Sequence, residues 1–162
     1  MKAAYIVSVL SVDDKGMAAY VVAAQDQASQ NCLVICDFAA EPMSRTVFTS
    51  IGEKMDELAK RCRSTNGAAL FVRDDLVAQA RHAGVETRPI PKDFRAEDRL
   101  FSVAGHFDAG MVRITGAVHE KSKTSPFAGA LNLRAGENVD DPLRNALVSL
   151  VALSLDDERL AA

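Results

Sequence analysis

Three apolar runs rich in β-branched residues follow one another at the start of the chain: 3–12 (Ala-Ala-Tyr-Ile-Val-Ser-Val-Leu-Ser-Val), 17–24 (Met-Ala-Ala-Tyr-Val-Val-Ala-Ala) and 31–38 (Asn-Cys-Leu-Val-Ile-Cys-Asp-Phe). Only short polar breaks separate them. Runs of this kind bury as strands, and breaks this short leave an antiparallel meander as the simplest connection. Asp13-Asp14-Lys15-Gly16 supplies the first turn, with residue types that bend a chain by side-chain capping and by glycine's freedom.

The period then changes. Val47, Phe48, Ile51, Met55, Leu58 and Cys62 recur at spacings of three and four, with Glu53, Lys54, Asp56, Lys60 and Arg61 opposite them. That is one amphipathic helix. Residues 68–73 return to strand, 76–82 read as a short helix closed at Gly84, and 85–90 as a strand placed near an edge by Pro89 and Pro91. Asp93 is placed to cap a helix to about Phe107, and 111–114 form a further short strand. Residues 116–125 read as a mobile basic loop and 126–134 as a weak helix. A last helix, capped by Asn138 or Asp140, runs to about Leu155. The order predicts one α/β domain spanning 1–162: a mixed sheet with helices on its faces, whose functional residues gather at strand ends.

Three acidic pairs fall at such ends: Asp13-Asp14 after the first strand, Asp74-Asp75 after the fourth, and Asp140-Asp141 at the last helix. Each pair alone is ordinary turn or capping chemistry. Carboxylates that converge on one point repel unless a cation lies between them, and hard oxygen donors suit Mg²⁺ or Mn²⁺. The formal net charge of −3 excludes a strongly basic nucleic-acid binder, so contact with DNA requires a local basic patch. The cysteines are three in number, Cys32, Cys36 and Cys62, which fits buried thiols better than a disulfide framework. Cys32 and Cys36 share a strand face, but no second Cys/His pair completes a zinc site. His82, His106 and His119 read as surface, capping or packing residues, and no Ser/His/Asp arrangement has local support. No apolar stretch is long enough for a bilayer and no signal peptide is evident, which predicts a cytoplasmic protein without a membrane partner.

This order, with acids at these positions, resembles the ribonuclease-H-like superfamily, and within it the C-terminal nuclease domain of phage large terminases. Three stretches carry the resemblance. The first is 69–85, a strand, an acid and a short helix ending in glycine. The second is Lys92 to Arg113, a helix with a basic start followed by Phe107-Asp-Ala-Gly-Met-Val112. The third is Asp140-Asp141-Pro-Leu-Arg-Asn-Ala-Leu, like the paired-Asp motif that opens the family's last helix. There are departures. Val139 stands where the family has His, Arg144 where it has a later Asp, and Arg73 where its second acid often ends the strand. A different frame on the first strand puts Leu10 in the place of the family's Asp. In that frame Leu10, Arg73 and Arg144 mark a decayed site.

The resemblance implies a metal-dependent endonuclease that cuts double-stranded DNA during phage genome packaging. Two ions, Mg²⁺ or Mn²⁺, would activate water and stabilise the leaving oxygen. Asp13, Asp74 and Asp140 are the implied catalytic ligands, with Asp75 and Asp141 as alternative or additional metal ligands. Lys15, Arg73, Lys92, Arg95, Lys121 and Lys123 are the candidate contacts to the DNA backbone. The chain has no Gly-x-x-x-x-Gly-Lys-Ser/Thr loop, so it reads as either the nuclease part alone or a separately encoded relative, with an ATPase motor, a small terminase or a portal as implied partners. Two other readings remain. One is a decayed module that binds DNA or a packaging partner, and the other is a junction resolvase.

Overall fold

The computed structural model describes residues 4–26, 32–62, 65–123 and 141–156. The predicted meander is present: β1 (Ala4–Val12) pairs antiparallel with β2 (Met17–Asp26), and β2 with β3 (Cys32–Pro42). β4 (Thr65–Val72) returns parallel to β1, and β5 (Thr87–Pro89) lies parallel to β4. β6 (Val112–Ile114) runs parallel to β3 at the other border. The order β5-β4-β1-β2-β3-β6 leaves β1 central, with a neighbour on each side.

Both faces of this sheet are covered, which is why its inner strands read as nearly unbroken apolar runs. Strand alternation divides β1 between two cores. Ile6 and Leu10 face α1 (Arg45–Arg61) and α2 (Val77–His82). Val7 and Val9 face the layer that holds α3 (Leu100–Asp108) and α5 (Pro142–Leu155). Leu143, Leu147 and Leu150 of α5 are buried against the sheet. This double coverage fixes the last helix across the end of β1, next to the β1–β2 turn.

Several local expectations are corrected. Residues 116–122 are not a loop but a helix, α4 (Gly116–Ser122), capped by the Thr115 hydroxyl, which accepts from the Val118 amide at 3.2 Å. The stretch after Asp93 does not coil at once, because a 3-10 turn (Ala96–Arg99) precedes α3. The last helix is capped by Asp141 rather than by Asn138 or Asp140. β4 begins before residue 68 and includes Gly67, where a Cβ would come within 3.1 Å of the Tyr5 ring. The weak helix expected at 126–134, and Asp140 itself, fall outside the described residues. Among the described residues no helix is long and apolar enough to cross a membrane.

Candidate functional site

The β1–β2 turn is built on Asp13. Its Oδ1 accepts from the Lys15 amide at 3.0 Å and the Met17 amide at 2.8 Å, while Gly16 takes a positive φ of 80°. One carboxylate oxygen of Asp13 is thus committed to folding the turn. Asp14 and Lys15 project from its exposed tip.

β4 ends in an extended Arg73, and Asp74–Leu76 form a 3-10 turn into α2. The Arg73 guanidinium donates from Nε to Asp75 Oδ1 at 2.5 Å and from Nη2 to Oδ2 at 3.0 Å. The hydrogen bonds from Arg73 hold the Asp75 carboxyl below the usual carboxylate range. Both partners are exposed, so the pair orients Arg73 more than it stabilises the fold. Asp75 therefore does not cap the helix that follows it; it spends both oxygens on Arg73.

At the third station Asp141 caps α5, its Oδ1 accepting from the Leu143 amide at 3.0 Å, and Pro142 occupies the first turn, where its missing N–H costs nothing. One turn further, Asn145 faces β1. The Ser11 hydroxyl donates to Asn145 Oδ1 at 2.6 Å, and the buried Ser149 hydroxyl lies 3.4 Å from the same oxygen.

These segments enclose one cleft of about 970 Å³, whose remaining wall is the link from β5 to α3. Asp13, Asp14, Lys15, Arg73, Asp74, Lys92, Arg95, Glu97 and Asp141 line it, together with Ser11, Asn145 and Ser149. Residues from four distant parts of the sequence therefore meet where the acidic stations suggested. The lining carries five acids and four bases, a mixed surface rather than a basic groove.

Not every candidate is there. Asp75 is not in the lining, and Lys121 and Lys123 sit on α4 away from it. The Lys121 ammonium donates to Asp37 Oδ1 at 3.1 Å and to the Phe38 carbonyl, and lies 4.4 Å from the centre of the Phe38 ring. Lys54 bonds the other Asp37 oxygen. Burial pushes the Asp37 carboxyl up, but the hydrogen bonds from Lys54 and Lys121 outweigh it and hold the group below the usual range. Lys121 thus ties α4 to β3 and α1. Leu10 is 1% exposed and packs toward α1, while Arg144 is buried and does not line the cleft.

Ser11, Asn145 and Ser149 are absent from the candidates drawn from sequence, because a search for charge does not find neutral residues. A signal exists: position 11 shares the parity of Val7 and Val9 on the α5 face of β1, and 141, 145 and 149 repeat at the helical spacing of four. The pairing of His106 Nε2 with Asp156 Oδ1 at 2.6 Å, which ties α3 to the end of α5, has no sequence pattern behind it.

No protein-family model matches the chain, and no curated protein matches it in sequence. Solved structures do resemble it. The human cytomegalovirus terminase nuclease domain, Mn soaked and inhibitor bound, aligns with a TM-score of 0.64 over 99% of this chain and 86% of that one, at 10% identity. The P22 large terminase nuclease domain gives 0.64 over 94% and 81%, at 11% identity. The large terminase of a thermophilic bacteriophage gives 0.56 over 89% of this chain and 39% of that chain, at 10% identity. At such identities the likeness concerns the fold: this chain has the ribonuclease-H-like fold in the form seen in terminase nuclease domains.

That fold implies a divalent-metal centre, and of its expected donors Asp13, Asp74 and Asp141 line the cleft while Asp140 lies outside the described residues. Among them no three His, Cys, Asp or Glu side chains stand close enough to hold an ion. Asp13 and Asp141 each give an oxygen to a backbone amide, and the meeting point of β1 and α5 is closed by a hydroxyl and a carboxamide.

Proposed function

We propose that this chain is a terminase-type nuclease-fold module that engages the backbone of double-stranded DNA at the cleft without hydrolysing it. The observation that carries this reading is the gathering of Lys15, Arg73, Lys92 and Arg95 on a cleft where Asp13 and Asp141 each give a carboxylate oxygen to a backbone amide. Backbone contacts of this kind position DNA without reading its sequence. The acids on the same surface keep the hold weak and dependent on salt. The module works in the cytoplasm of a host cell during genome packaging, together with an ATPase motor, a small terminase or a portal.

A second reading is the metal-dependent endonuclease, with Asp13, Asp74 and Asp140 or Asp141 as donors to Mg²⁺ or Mn²⁺. Its support is that Asp13, Asp74 and Asp141 line one cleft. Plasmid nicking in Mn²⁺, Mg²⁺ and EDTA, alongside duplex binding by the same preparation, separates the two readings. Binding without nicking is expected. Metal-dependent nicking that disappears in Asp74→Ala would replace the first reading with the second.

A further inference from the structure

We propose that Asn145 is a direct contact to the phosphodiester and takes it without a bridging divalent ion. This rests on the reading that the cleft engages DNA, and deepens it by naming a neutral contact at the foot of the cleft.

The two ends of the Asn145 carboxamide are held differently. Ser11 donates to Oδ1 at 2.6 Å, from the strand at the centre of the sheet, and the Ser149 hydroxyl lies 3.4 Å from the same oxygen, one turn along α5. In this arrangement both hydroxyls donate to the carboxamide oxygen. The oxygen is turned into the seam between strand and helix, and the Nδ2 group, with its two protons, is left without a partner among the described residues. Asn145 lines the cleft. An amide nitrogen offers protons to an anion and has no lone pair for a metal ion. With the hydroxyl protons of Ser11 and Ser149 turned to Oδ1, the donors left to a ligand at the β1–α5 seam are those of Asn145 Nδ2.

The surroundings agree with a phosphate more than with a cation at this spot. Asp141, one turn before Asn145, is turned back on the Leu143 amide, and Asp13 is turned back on its own hairpin. Lys15 and Lys92 line the same cleft. A phosphodiester held there would take a neutral hydrogen bond from Asn145 and charge from the lysines.

The test uses the full chain and a fluorescent linear duplex, with affinity read by anisotropy in EDTA and again in Mn²⁺. Wild-type binding should be the same in both. Asn145→Ala should weaken it about fivefold with an unchanged salt slope, because losing a neutral contact releases no counterion. Ser11→Ala, which lets the carboxamide turn, should weaken it by a smaller factor. In the wild type, the Asn145 side-chain amide resonances should shift when duplex is added in EDTA, a readout that needs no variant to fold. An unmoved amide, or Asn145→Ala binding as tightly as wild type, overturns the proposal and leaves the DNA reading standing. Binding that requires Mn²⁺ overturns it in favour of a bridging ion. Absence of wild-type binding in both conditions removes the DNA reading and the proposal together.

Discussion

Arg73 and Asp75, two residues apart where β4 ends, are joined at two points, through Nε to Oδ1 and Nη2 to Oδ2. The pair decides how the second acidic station is used. Asp75 is occupied by its neighbour, Asp74 is left on the cleft, and the charge of the arginine is partly answered before any ligand arrives. Asp75→Ala should free the guanidinium and raise duplex affinity about two- to fivefold at low salt, the gain fading as salt rises. Arg73→Ala should move affinity the other way. Anisotropy titrations at two salt concentrations check this; an Asp75→Ala chain that binds no better at low salt would remove Arg73 from the interface.

With four cations on the cleft, the logarithm of duplex affinity should fall against that of salt with a slope of about −2 to −4, since each neutralised phosphate adds about −0.9. Lys15→Ala and Lys92→Ala should each flatten the slope by about one unit. A steeper wild-type slope would mean that the main DNA-binding surface lies elsewhere.

Lys121 separates structural from ligand-facing charge. Because its ammonium is engaged by Asp37 and by the Phe38 carbonyl, Lys121→Ala should lower the melting temperature while leaving duplex affinity within about twofold. Asp37→Asn should destabilise more than Lys121→Ala, by about 1–3 kcal/mol, because it weakens the ties to both Lys54 and Lys121. A chain that melts normally but loses DNA binding on Lys121→Ala would return this residue to the DNA-facing set.

Asp156 provides a pH test. It accepts from His106 on Oδ1 and from the Ser102 hydroxyl on Oδ2 at 2.7 Å. Burial raises its carboxyl, but the hydrogen bonds from His106 and Ser102 prevail and the net shift is downward. A carboxyl depressed in the folded state stabilises above its unfolded pKa, and that contribution is lost as pH falls through the folded value. Urea melts should therefore show Asp156→Asn less stable than wild type at pH values above the ordinary carboxylate value of 3.8, with the gap closing below it. A gap that persists unchanged into stronger acid would show that the ionised carboxylate is not what matters.

The large elements were legible because their patterns are strong. The meander came from three apolar runs with turn residues between them, and α1 from five buried positions at helical spacing. The shared cleft came from acids placed at strand and helix ends. What escaped lacked periodicity or charge. α4 buries only Val118 and Ser122, too little apolar contrast to stand out from a basic loop, and its cap is a single threonine. The commitments of individual oxygens, on Asp13 to its turn and on Asp75 to Arg73, are matters of local geometry that residue types do not announce. The Ser11–Asn145 contact spans 134 positions, and two neutral side chains that far apart leave no mark on each other in a sequence.

β3 has 11 residues, but its outer neighbour β6 covers it only from Leu33 to Ile35. Past that point a strand of this length would offer a row of backbone groups to any passing chain, an invitation to edge-on polymerisation. The Lys121 ammonium is seated on the Phe38 carbonyl within that stretch. An incoming strand would have to displace it from that carbonyl. The same contact that anchors α4 thus also occupies an acceptor on the strand edge, so a single lysine serves both the packing of a helix and the protection of a backbone group.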